Sequence, residues 1–257
     1  MECFVHADKK YFPEYNWFEK AISYPYKAPT TSFTFKNGKF YRGIHISLKD
    51  RVPILSIGSN RSPYQLKNKF GVKENLCVTP TKLYNSVIVY AASMSAYGSI
   101  PATQWPCEGS VSDLNLLWLN QDQLQIMHLS EGLGIAYNFV ELDRDTVVNQ
   151  EEDYSGPIFG YISTKGSYIF EGNSPSRLKN IKTNIKTFPS ISEYEALNRL
   201  FFENFCGETS LECWLKKLIS NKSKRLLLIE KMSKKRILPK NVPWKILDLK
   251  VTGNNIY

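Results

Sequence analysis

Between residues 53 and 165 the chain breaks into short β-like runs, and their spacing constrains the fold more than any other feature. The runs are "PILSIG", "LYNSVIVYAA", "SIPATQ", "SDLNLLWL", "AYNFVELD" and "PIFGYIS". Val, Ile, Tyr and Phe suit a pleated, half-buried surface, and the polar breaks recur roughly every 8 to 15 residues. Such spacing predicts a curled sheet or small barrel rather than alternating strand–helix units. The expected class is α+β: a small curled mixed β-barrel with flanking helices and a helical C-terminal part.

One helix interrupts the runs, at "LNQDQLQIMHLSEG". Asn120 is a good N-cap, Gln123 completes a capping box, and Gly132 is a natural stop, so the helix spans about residues 121 to 131. With Leu124 at the centre of its buried stripe, the same face carries Met127, His128 and Glu131 at i+3, i+4 and i+7. An acidic residue thus sits on the apolar face. Burial and the negative end of the helix dipole both work against the ionised carboxylate there, which is how a general base for neutral pH is made. A side chain pointing to water from a frayed last turn is the plainer alternative.

The flanks differ in pattern. Residues 1–52 are rich in aromatics and lysine, with weak alternation and a hairpin signal at Asn37-Gly38, and read as an N-terminal extension packed on a 53–170 body. Residues 171–257 read as helical, in "SPSRLKNIKTNI", "PSISEYEALNRLFFENF" and "SLECWLKKLI". In the second, Leu197, Leu200, Phe201 and Phe205 form a helical stripe capped by Ser190 or Ser192.

Charge is localised. The chain carries +9, but residues 214–250 hold twelve Lys or Arg against Glu230 and Asp248, a net +10 that leaves the remainder near −1. Leu226, Leu227, Ile229 and Met232 lie among these lysines at near-helical spacing, so a basic amphipathic helix is expected. It is either a solvated face or a patch for an anionic partner: protein, nucleic acid or acidic membrane. Five scattered cysteines, at 3, 77, 107, 206 and 213, suit reduced thiols better than a disulfide framework. His6, His45 and His128 are the only histidines and lack ligand spacing, so no metal and no cofactor is expected. With no apolar stretch of transmembrane length and no secretory pattern at the N-terminus, a cytoplasmic location is expected.

The stretch "ILSIGSNRSPY" ends a strand in small polar residues. Gly, Ser, Asn and Pro are ordinary turn formers, but Gly58 also permits close approach, and successive N–H groups can hold an anion. Three pieces now stand in order: Ile57-Gly58-Ser59-Asn60, "YGSIPATQWPCEGSV" from Tyr97 and Gly98, and the helix ending Ser130-Glu131-Gly132 with Tyr137 opening the next strand. In this order they resemble the gamma-glutamylcyclotransferase-like family over about residues 53–165. In wording they are more similar to uncharacterised bacterial relatives carrying GSN-x-S-P-x-Q-L and YG-x-I-P-A-T.

The resemblance implies cleavage of a γ-glutamyl amine or amide by intramolecular closure to 5-oxoproline, without metal. Glu131 would be general base and then acid, and Ile57, Gly58, Ser59, Asn60, Arg61, Tyr97, Gly98 and Tyr137 would bind the substrate. Ile57 and Leu178 stand where the family places tyrosines, so two pocket hydroxyls are missing. The alternative is a non-catalytic module binding a small acidic ligand, with the basic segment docking a partner.

Overall fold

The computed structural model describes residues 9–149, 154–249, 251–252 and 255–256. Cys3, His6 and Lys250 lie outside the described residues. Ordered along the chain, helix α1 (Trp17–Ile22) precedes a hairpin of strands β1 (Phe33–Lys36) and β2 (Lys39–Arg42). Strand β3 (Val52–Ser56) leads through a 3-10 turn (Ser59–Arg61) into α2 (Pro63–Phe70), and the long strands β4 (Leu76–Tyr90) and β5 (Ala102–Leu119) follow. Helix α3 (Gln121–Glu131) is followed by β6 (Tyr137–Leu142), β7 (Val147–Asn149), β8 (Phe159–Ser163), β9 (Ser167–Tyr168), β10 (Arg177–Leu178) and β11 (Ser190–Ile191). Helices α4 (Glu193–Glu203), α5 (Leu211–Ser220) and α6 (Lys222–Ser233) precede β12 (Arg236–Ile237) and β13 (Trp244–Ile246).

Eleven strands form one mixed sheet whose main path runs β11-β10-β4-β5-β3-β8-β6-β13, with β1 and β7 beside β4 and β2 beside β1. β3 and β8 pair in parallel, as do β10 and β11, whereas β4 and β5 are antiparallel. The sheet is not closed into the expected barrel. Strand β5 shows why: Leu116 and Trp118 enter one apolar cluster while Leu117 and Leu119 enter another on the opposite face. Successive residues of a strand point to opposite faces, so both faces are covered and burial needs no closure. Leu66 and Phe70 of α2 and Leu124 and Met127 of α3 cover one face; Leu197, Leu200, Leu215 and Leu228 of α4 to α6 cover the other. The ends of the path are short strands of two and three residues, which limits the exposed edge.

The sheet crosses both expected boundaries. β1 pairs with β4, while β10, β11 and β13 bring residues from beyond 170 into the same ladder. The Asn37-Gly38 hairpin forms, with Lys36 opposite Lys39 and both turn residues at positive φ. "SPSRLKNIKTNI" yields strand β10 rather than a helix, and Leu178 is fully buried in the core. Ser192 caps α4 through a capping box, burying Leu197, Leu200 and Phe201; Phe205 lies past the helix end and is exposed. Among the described cysteines, Cys77, Cys107, Cys206 and Cys213 are joined by no disulfide. No helix among the described residues is long and apolar enough to cross a membrane.

Candidate functional site

The loop after β3 is built for a sharp entry into a helix. Ser59–Arg61 make one 3-10 turn, Ser62 is extended, and Pro63 stands at the start of α2, where its fixed φ suits the first helical residue. Gly58 is required by a neighbour. A Cβ on it would lie 2.2 Å from the Tyr24 hydroxyl oxygen. That hydroxyl accepts the Ala102 N–H at 2.9 Å, while the Tyr137 hydroxyl donates to the Ala102 carbonyl at 3.1 Å. The two peptides flanking Ala102 at the start of β5 are therefore each held by a tyrosine.

Helix α3 has the residues and caps expected for it: Asn120 and Gln123 form the capping box, and Gly132 closes the helix in the left-handed conformation. Glu131, its last residue, turns into a cavity of about 480 Å³ bounded by the loop after β3, α2, residues 93–97 and the start of β6. Asn60 Nδ2 donates to Glu131 Oε1 at 2.9 Å, joining the two motifs across 71 residues of sequence. Only an amide nitrogen can serve a carboxylate in that way, so the orientation of Asn60 is fixed. Lys69 Nζ, from the last turn of α2, pairs with the same oxygen and lies 3.3 Å from Met127 Sδ. The Lys69 and Glu131 side chains are 8% and 13% exposed. Burial of a carboxylate at this helix end is compensated by a cation that the sequence pattern did not reveal.

Tyrosines supply the remaining polar surface. Burial, then the Glu131 charge, pushes the Tyr97 hydroxyl up to about 12, against hydrogen bonds to Ser59 and Ser95. Burial and the same carboxylate hold Tyr137 well above the usual phenol range. Tyr161 is also raised by burial, and its hydroxyl lies 2.8 Å from His128 Nδ1. His128 does not line the cavity. It is packed edge-on against Phe139, and burial lowers its pKa to about 4, so it is a neutral core group.

Of the residues singled out in the sequence, Ile57, Gly58, Ser59, Asn60, Tyr97, Glu131 and Tyr137 line this one cavity. Arg61 does not. Its guanidinium donates to the Asp113 carbonyl at 3.2 Å and lines a separate cavity with Tyr26 and Lys182, because the 3-10 turn sends successive side chains to different sides. Gly98 is also outside: its φ is +89° and a Cβ there would meet Ile219 at 3.0 Å, so it serves the packing of α5. Tyr24 brings a hydroxyl to the loop where Ile57 has none. Lys20, Tyr24 and Lys69 line the cavity and escaped the sequence reading. Ser62-Pro63 followed by Leu66 and Phe70 at i,i+4 is the signal that marks α2, and the Asn16–Glu19 capping box marks α1, which carries Lys20; nothing local marks Tyr24.

Among the described residues, the charged groups lining the cavity are Lys20, Lys69 and Glu131, an excess of one positive charge. Such a lining favours a ligand carrying an acid group together with a donor for Glu131. Comparison with protein-family models returns no match, and comparison with curated proteins returns none either. Among solved structures, the chain is similar to one described as gamma-glutamyl cyclotransferase, with a TM-score of 0.38 and 16% identity over 44% of this chain and 67% of that one. It is similar also to an uncharacterized protein from Homo sapiens, with a TM-score of 0.36 and 17% identity over 45% of this chain and 68% of that one.

Proposed function

We propose that the cavity binds a γ-glutamyl amine or amide and closes it to 5-oxoproline, with Glu131 as general base and then general acid. The observation that carries this reading is the Asn60–Glu131 hydrogen bond, which sets the loop and the proton-handling carboxylate on one cavity wall. Asn60 and Lys69 hold the carboxylate in a defined position, a condition for efficient proton transfer. Glu131 takes a proton from the substrate α-ammonium, and the freed amine attacks the γ-carbonyl carbon. A C–N bond forms, the carbonyl oxygen takes up negative charge, and Glu131 passes its proton to the leaving nitrogen; as the old C–N bond breaks, the ring nitrogen gives its second proton to the freed Glu131 carboxylate, which hands it to the departing amine, leaving 5-oxoproline and an ammonium product. Polar groups of Ser59 and Tyr97 lie on the same cavity and are candidates to face the developing charge.

The test is direct. Wild-type protein and Glu131→Gln are incubated with a panel of γ-glutamyl amines, and 5-oxoproline is followed by mass spectrometry. The expected result is turnover by the wild type and a loss of at least about a hundredfold in the variant. Equal background signals from both rule out the reaction.

A second reading concerns the basic segment. Lys224, Leu227 and Lys231, three or four residues apart, share one face of α6 and, with the C-cap Lys234, line a groove of about 460 Å³ against Trp214 and Lys217 of α5. Leu227 is 60% exposed there. Glu208, paired with Lys217, and Glu230 also line the groove, so its four lysines leave a net charge of +2 around apolar surface, which suits an acidic protein segment with an apolar anchor. Removing residues 214–257 is not a clean test, since Trp214, Leu215, Leu228 and Met232 are buried and β13 is paired to β6.

A further inference from the structure

We infer that Lys69 is the specificity residue for the acid group of the substrate head, and that the Lys69–Glu131 pair recognises an α-amino acid zwitterion. This rests on the reading of Glu131 as the group that receives the substrate amine. In an α-amino acid the ammonium and carboxylate are bonded to a single carbon. Wherever the ammonium meets Glu131, the carboxylate must lie within a short radius of it. Lys69 Nζ is the cation inside that radius, because it is already paired to Glu131 Oε1. Both side chains are nearly closed to solvent and both line the cavity, so water is a poor competitor for either charge. Lys20 also lines the cavity, but its ammonium lies over the Tyr97 ring, 5.1 Å from the centroid, and no contact ties it to the carboxylate.

The charge balance supports the same assignment. Without ligand, Lys69 and Glu131 neutralise one another. With the zwitterion bound, four charges alternate: carboxylate, Lys69, Glu131, ammonium. When Glu131 takes the ammonium proton, both become neutral, and Lys69 remains opposite the substrate carboxylate. No charge is stranded in the buried site at any stage, whereas without Lys69 the substrate carboxylate has no partner after proton transfer. Lys69 therefore serves twice, restraining Glu131 before binding and holding the acid group afterwards.

The test compares γ-glutamyl anilide with 4-aminobutyryl anilide, which lacks only the α-carboxylate and closes to 2-pyrrolidinone. The variants are Lys69→Gln, which keeps an amide donor for Glu131, and Lys69→Arg. The wild type is expected to favour the γ-glutamyl substrate in kcat/KM by about tenfold to a hundredfold, the range of one charge-assisted hydrogen bond. Lys69→Gln should lose that preference, falling at least about tenfold further on the γ-glutamyl substrate than on the second, and Lys69→Arg should keep most of it. An equal loss on both substrates makes Lys69 a purely structural residue and overturns the assignment.

Calorimetric titration with L-norvaline and butylamine, which differ only in the α-carboxylate and have no γ-carbonyl to attack, reads the same discrimination without catalysis, and so separates failure of this inference from failure of the reaction. Wild type should bind L-norvaline at least about tenfold more tightly than butylamine, and Lys69→Gln should bind the two alike. If Lys69→Gln does not fold, Lys69→Met in a Glu131→Gln background leaves no unpaired charge and replaces it in the titration, with Glu131→Gln as the reference. Equal affinity of the wild type for the two ligands, or binding of neither, refutes the assignment even if 5-oxoproline is formed.

Discussion

Replacing Gly58 by alanine places a methyl carbon 2.2 Å from the Tyr24 hydroxyl oxygen and 3.2 Å from Cζ of the same ring. The first contact is impossible and the second is only tight, so the ring must move, and with it the hydroxyl that accepts the Ala102 N–H. Overpacking of this kind costs about 1–3 kcal/mol. Stranding a buried N–H costs roughly the same again, which gives about 2–6 kcal/mol for Gly58→Ala. Tyr24→Phe removes the acceptor but no bulk, at about 1–3 kcal/mol.

In the double variant the clashing atom is gone and the hydrogen bond has already been lost. Gly58→Ala should then add only about 1 kcal/mol to the cost of Tyr24→Phe, a coupling of about 2 kcal/mol. Urea unfolding of the four proteins measures it, provided the slopes agree. Additivity within about 0.5 kcal/mol would show that the hydroxyl is not what reserves position 58 for glycine.

His128 is buried and its pKa falls from 6.5 to about 4. The unfolded chain therefore binds the extra proton first, and the stability contributed by the neutral ring is complete above about pH 6.5 and is lost as pH falls toward 4. From pH 7 to pH 5 the expected loss is about 2 kcal/mol, measured as the shift in urea midpoint, and His128→Gln should remove that part of the slope. An unchanged slope would show that the ring is not held neutral by burial. On α6, the combined change Lys224→Glu, Lys231→Glu and Lys234→Glu should abolish salt-sensitive binding of a labelled Glu-rich peptide carrying one tryptophan, read by fluorescence anisotropy at low and high salt. No binding by the wild type would reduce the stripe to a solvated face.

Much of the fold was legible where local chemistry decides. Asn120, Gln123 and Gly132 delimit α3 because caps act within a single turn, and Asn37-Gly38 specifies its hairpin through positive φ. The run "LNLLWL" identifies a strand, but alternation cannot say whether its two faces end in a closed barrel or under helices on both sides. Helices α1 and α2, of six and eight residues, are too short to announce themselves by period. "SPSRLKNI" has a helical pattern, yet pairing of Arg177 with Val89 and Ser190 draws it into the sheet. At the site, Glu131 was legible because it breaks an apolar stripe. Lys69 was not, since a lysine in the last turn of a helix is ordinary until the fold sets another helix beside it. The expectation that Arg61 and Gly98 share the cavity treated neighbours in sequence as neighbours in space, and a 3-10 turn and a positive φ separate them.

Ala102, gripped at its N–H by Tyr24 and at its carbonyl by Tyr137, has a further consequence. The two bonds fall on adjacent peptides, so displacement of the Tyr24 ring is read by the Ala102 amide resonance and displacement of the Tyr137 ring by that of Thr103, whose nitrogen shares a peptide with the Ala102 carbonyl. Both tyrosines line the cavity, so this pair of amide shifts registers occupancy from within the wall itself. Because Tyr24 comes from the aromatic N-terminal segment and Tyr137 from β6, the same two signals also tell whether two distant parts of the chain are docked at once.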